Sequence, residues 1–148
     1  MAIHVLRGVA EAVAFSGSDD PAQRFAFATY KGLSILLVRP LWAQVILRIV
    51  ARPAAAAQLT HFLAIDLAEG HSSGRFTLGS DTFSVDLVLG AMVMTARRIA
   101  LGSMSQAQLG RVVQRLLEVL GVDPEEAAAL VANAVANSTS EHFRENLQ

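Results

Sequence analysis

Apolar residues recur along most of the chain at three- and four-residue spacing, the period of a helix with one buried face. At the start, Ile3, Leu6, Val9, Ala10 and Val13 mark such a face between about Ala2 and Phe15. Nothing begins this helix: no Ser, Thr, Asp or Asn precedes Ile3, and no Pro marks a first turn. Every later helix has a start signal. In "SGSDDPAQ", Asp20 is a good N-cap, Pro21 suits the first helical position and Gln23 can close a capping box. The helix predicted from there to about Val38 is apolar almost all round, through Phe25, Phe27, Tyr30, Leu33, Ile35, Leu36 and Leu37. Such a helix is buried on most sides.

Prolines and glycines divide the rest. Arg39 precedes Pro40, which biases it away from helix, and a third helix is predicted from Pro40 or Leu41 to about Ala51. Pro53 restarts the chain into "AAAAQLTHFLAIDLAEG", a helix to about Glu69. "GHSSGRFTLGSD" is the one loop of any length. Ser80 or Asp81 then caps an apolar helix over Thr82–Leu101, which Gly102 ends. Ser103 with Gln106 reads as a further capping box. The helix Gln106–Leu120 carries a clean stripe of Leu109, Val112, Val113, Leu116, Leu117 and Leu120, with Arg111, Gln114, Arg115 and Glu118 opposite. Gly121 stops it, and Asp123-Pro124-Glu125-Glu126 caps a last amphipathic helix through Leu130, Val131, Ala134 and Val135. No run alternates as a strand does. The prediction is an all-α helical bundle of about seven helices, one domain over residues 1–137, followed by a polar tail over 138–148, frayed or weakly docked.

Composition narrows what such a bundle does. Over 148 residues, 53% are hydrophobic and only 17% charged, so the apolar surface exceeds what an ordinary core consumes. A subunit interface or an apolar pocket takes the excess. The net charge of −1 supplies no basic field for gripping nucleic acid. With no Cys, disulfides, thiol catalysis and Cys-ligated metals are excluded, and the composition fits a cytoplasmic protein. No stretch reaches the roughly 18 apolar residues of a membrane span. His4, His61, His71 and His142 form no HxxxH or HExxH pair, so neither a metal nor another cofactor is expected. Asp19-Asp20 and Glu125-Glu126 sit at helix starts, where capping accounts for them. No catalytic residue is assigned, and the chain does not read as an enzyme.

The aromatic and Met residues lie on separate segments that can converge. Taken singly, each is most simply core. Taken together, Tyr30, Trp42, His61, Phe62, Phe83 and Met94 suit an adaptable apolar pocket, with Thr29, Tyr30, His61 and Thr95 as its polar contacts. The helices over Thr82–Leu101 and Gln106–Leu120, joined by a tight turn, are expected to form an antiparallel pair. Gly90 sits mid-helix, where glycine costs about 1 kcal/mol relative to alanine, a cost that a close helix crossing offsets. Both helices look too apolar for one buried face. A four-helix homodimer interface through Gly90, Leu109, Val113, Leu116 and Leu120 is therefore expected.

Several stretches together resemble one family. These are "SDDPAQRFAFATYKGLSILLVRPLWAQVIL", "LAEGHSSGRFTLGSDTFSVDLVLGAMVMTARRIALG" with its "GRF" loop, and "LGRVVQRLLEVLGVDPEEAAALV". Their order and spacing resemble the C-terminal, effector-binding and dimerisation domain of TetR-family transcriptional regulators. The resemblance implies a homodimer that binds a small apolar or amphipathic effector. It also implies that DNA is contacted only through an N-terminal helix-turn-helix domain, joined by a long connecting helix. Residues 1–15 resemble the end of that helix. On this reading the capless start is the connecting helix met part-way, and the DNA-binding domain is absent. The alternatives are an all-α dimerisation module with no effector and, less readily, a small helical enzyme.

Overall fold

The structure, a computed structural model, describes residues 18–145, with side chains described as far as residue 139. Six helices lie among the described residues: α1 Pro21–Val38, α2 Pro40–Val50, α3 Pro53–Ser72, α4 Thr82–Ala100, α5 Gln106–Leu120 and α6 Pro124–Glu145. No strand occurs among them. The helix expected over residues 2–15 lies outside the described residues.

α1 is the axle of the bundle. Asp20 caps it, its carboxylate accepting from the Ala22 N–H at 3.2 Å, and Pro21 begins it. The expected capping box does not close, because Gln23 accepts instead from the Ser18 hydroxyl at 2.8 Å. Ala22, Phe25, Ala26, Phe27, Thr29, Tyr30, Leu33 and Leu36 are all buried. A helix buried on that many sides needs neighbours all round, and α1 packs against all five other helices. It ends at Arg39, where Pro40 turns the chain through 117° into α2. No single helix among the described residues is long and apolar enough to cross a membrane; α1 and α2 qualify only as a pair, across that bend.

α3 runs three residues beyond the expected Glu69 because Gly70 and the residues after it stay helical. The loop that follows is tied down rather than loose. Phe76 is 3% exposed and meets Phe25 edge to face, with ring centroids 6.2 Å apart. It lies against Gly70 so closely that a Cβ there would overlap its ring. The Thr77 and Leu78 N–H groups donate to the Leu120 carbonyl at 2.8 and 3.3 Å, satisfying an end of α5. Arg75 reaches two helix starts at once, pairing with Asp20 at 2.8 Å and with Glu126 at 2.7 Å.

The turn between α4 and α5 is capped differently from expectation. Gly102 takes the left-handed conformation (φ 73°), and both the N–H and the hydroxyl of Ser103 donate to the Arg98 carbonyl. Ser103 is thus consumed in closing α4. The capping box of α5 forms one pair later, between Ser105 and Gln108. Gly121 ends α5 at φ 107°. α6 runs further than expected, to Glu145. Its polar residues continue the helix by bonding back along it: Ser138 donates to the Ala134 carbonyl at 2.8 Å and Thr139 to that of Val135 at 2.9 Å.

The packing partners correct one expectation outright. α4 and α5 do not form an antiparallel pair; theirs is the slightest contact of any packed helix pair. α5 lies against α1 and α6, and α4 lies chiefly against α2. The apolar stripe of α5 therefore points into the chain's own core, where Leu109, Val113, Leu117 and Leu120 are fully enclosed and Leu116 is 5% exposed.

Candidate functional site

Helical geometry decides which apolar residues α3 and α4 turn inward. On α3 the buried line is Leu63, Leu67 and Gly70. His61 and Phe62, two and one positions before Leu63, consequently face outward: Phe62 is 58% exposed, and His61 stands beside it with ring centroids 6.0 Å apart. On α4 the buried line is Val85, Val88, Thr95, Ala96 and Ile99. Phe83 and Met94 lie on the opposite face, 84% and 48% exposed.

The six residues expected at a pocket are thus not brought together. Tyr30 and Trp42 alone face inward. Tyr30 is almost wholly buried, and its hydroxyl accepts from the Gln106 side-chain amide at 2.9 Å, tying α1 to the start of α5. Trp42 is half-buried against the core, with the Arg39 guanidinium 4.5 Å above its ring. Thr29 and Thr95 are buried as expected of interior polar contacts, Thr95 donating to the Ala91 carbonyl at 2.8 Å. One turn after Tyr30, the Ser34 hydroxyl oxygen is enclosed without a hydrogen-bond partner. Sequence reasoning passed over Ser34, which a serine in an otherwise apolar run of α1 could have flagged.

Of the five residues expected at an interface, only Gly90 is open to a second chain. Leu109, Val113, Leu116 and Leu120 are enclosed by α1 and α6, so a partner could reach them only by opening the core. Gly90 is exposed, and a Cβ added there would meet nothing within 4 Å. It belongs to a line of exposed positions along α4 and its C-cap: Phe83, Leu87, Gly90, Met94, Arg97 and Leu101. The spacing alternates four and three, the seam of a helix that packs lengthwise against another. Leu87 is 57% and Leu101 71% exposed. Both escaped the sequence reading because α4 is apolar on two faces, and periodicity alone does not say which face the core takes.

The charges around this line are ordered. Asp81 caps the start of α4, and hydrogen bonds from the Ser84 hydroxyl and N–H hold its carboxyl below the usual carboxylate range. Asp86 is exposed near the same end; Arg97 and Arg98 are exposed near the other. Among the described residues, no cluster of three His or carboxylate groups is placed to hold a metal ion.

A cleft of about 300 Å³ opens at the α1–α2 corner, walled by Arg39, Pro40, Leu41, Trp42 and Val45. In comparisons with known proteins, no curated protein and no solved structure matches the chain. A family model described as tetracyclin repressor-like, C-terminal domain, matches residues 20–133. That span begins at the cap of α1, takes in α2 to α5 and ends within α6. The match covers most of the chain, its helices follow the order the sequence implied, and the protein accordingly belongs to the tetracyclin repressor-like C-terminal domain family.

Proposed function

We propose that the chain is the ligand-sensing and dimerisation domain of a transcriptional repressor. It pairs with a second copy through the exposed face of α4 and binds a small apolar or amphipathic effector between α1 and α2. In the whole regulator, a separate N-terminal domain contacts DNA. The effector acts by binding one arrangement of the helices better than another, since only that difference in affinity can move the equilibrium.

The observation that carries this reading is the second apolar face of α4. Its inner face is satisfied by the core, yet Phe83, Leu87, Met94 and Leu101 remain in solvent on the other. Gly90 at the centre weakens the helix by about 1 kcal/mol, and no contact among the described residues offsets that. A second α4 crossing antiparallel about a two-fold axis level with Met92 accounts for all of them. Each residue then meets the one equally far beyond the axis. Phe83 meets the partner's Leu101, the partner's Met94 fills the notch at Gly90, and Leu87 lies level with the partner's Arg97, whose aliphatic stem covers it. Self-complementarity of this kind is what a two-fold interface requires.

This reading reassigns the expected pocket residues. Tyr30 and Trp42 stay on the effector side. Phe83 and Met94 go to the dimer surface. His61 and Phe62, exposed on α3, have no role in it. Sedimentation velocity on the wild type and on a Leu87→Glu/Met94→Glu double variant tests the interface. The wild type should sediment at twice the 15.8 kDa chain mass and the variant as a folded monomer with an unchanged helical spectrum. A variant that stays dimeric would contradict the α4 interface.

A further inference from the structure

Charge is distributed unevenly along the chain. Between Pro21 and Ile65 there is no Asp or Glu, while Arg24, Lys31, Arg39, Arg48 and Arg52 all fall within that span. Arg24 is answered from outside it, by Glu69 at 2.6 Å. Lys31 lies over the Phe27 ring at 5.3 Å. Among the described residues, no carboxylate pairs with Arg39, Arg48 or Arg52. Arg39 stands at the α1–α2 corner, Arg48 on α2 and Arg52 at the N-cap of α3, and all are exposed.

The same corner is apolar to an unusual degree for exposed surface. Val38 is 69% and Leu41 70% exposed, and the cleft beside them is walled by Pro40, Leu41, Trp42 and Val45. Leu41, Val45 and Arg48 follow one another at four- and three-residue steps, so they share one face of α2. Arg39 is itself part of the cleft wall, held over Trp42. A groove with apolar walls and an arginine among them has no complement in a neutral hydrocarbon, which leaves the cation unanswered. It has none in an organic cation, which Arg39 repels. Its volume of about 300 Å³ suits a small ligand and is at the lower end of the range for such sites.

We infer that this cleft binds a small amphiphilic carboxylate, its chain lying against Leu41, Trp42 and Val45 and its head group paired with Arg39. The inference rests on the sensing function proposed above and narrows its effector to one chemical class. Arg39 is suited to the head group because its planar guanidinium offers two parallel donors to a carboxylate while its stack on Trp42 fixes its direction. The chain covers Val38 and Leu41, which otherwise face water.

Trp42 is the only tryptophan of the protein and lines the cleft, so its emission carries no background from another tryptophan. The test is a fluorescence titration with decanoate below its micelle concentration, repeated with 1-decanol and with decyltrimethylammonium. Decanoate should shift the Trp42 emission saturably. Affinity should fall at least about tenfold in R39Q and for decanol on the wild type, the loss expected for one charge-assisted hydrogen-bonded contact, and R39K, which keeps the charge but not the planar fork or the stack, should fall between R39Q and the wild type. Equal binding of decanol and decanoate, or an R39Q variant that binds like the wild type, would overturn the assignment. So would thermal stabilisation by decanoate with no change in Trp42 emission; that places the ligand elsewhere and leaves the sensing function standing. A response to phosphatidylglycerol vesicles without one to dissolved decanoate would overturn it in favour of a membrane-docking surface. Failure of the sensing function itself reads out separately, as a chain that binds no small molecule by any measure.

Discussion

Arg75 illustrates how a single residue holds distant pieces of the chain together. It leaves the α3–α4 loop and pairs with the cap of α1 and the first turn of α6. The hydrogen bonds from Arg75, with smaller help from the Ala22 N–H, hold the Asp20 carboxyl below its usual 3.8. The pairs raise the guanidinium of Arg75 in turn, so it stays charged at any accessible pH. A carboxyl whose folded pKa is depressed adds stability that is full above the unfolded value. That stability is lost as pH falls through the lowered folded one. The groups are part-exposed, so solvent screens the effect to about 1 kcal/mol or less. Urea unfolding should show the wild type losing its margin over Arg75→Met as pH drops from 6 to about 3. A margin that holds constant over that range would show that the cap does not depend on the ion pair.

At the scale of elements, what the sequence disclosed was punctuation. Asp20, Pro40, Pro53, Asp81, Gly102 and Gly121 begin or end helices where their chemistry says they should, because capping and backbone conformation are settled by neighbours a few residues away. The α4–α5 turn shows the limit of this. Two serines in the turn can each cap, and the choice between them depends on how α4 closes. Partnership between helices was less legible still. The stripe on α5 is real, but a stripe records only that something covers it, and the cover is α1 and α6 rather than α4 or a second chain. The consequence is specific. A charge at Leu116 should unfold the chain rather than separate subunits, costing about 3 kcal/mol or more for a buried carboxylate without a partner. Thermal denaturation of Leu116→Glu should show a collapsed or absent transition. A variant that melts like the wild type would contradict the core assignment.

In the whole molecule, the excess of apolar residues has two destinations. Part fills a core centred on α1, and part stays outside, on α4 and at the α1–α2 corner. That Tyr30 and Trp42 turn inward could be read from the sequence, because α1 and the start of α2 are apolar with few polar interruptions. Which aromatic residues of α3 and α4 turn inward could not, because each helix offered two plausible faces and the choice depends on neighbours distant in sequence. The family match takes in both of these outer patches, the face of α4 and the α1–α2 corner. The most direct test of the central claim is native mass spectrometry of the purified chain. A dimer is predicted, at twice 15.8 kDa, that takes up small-molecule mass in proportion to its two copies when decanoate is added. A monomer, or a dimer that takes up none of the small molecules offered to it, would contradict the account of a dimeric sensing domain.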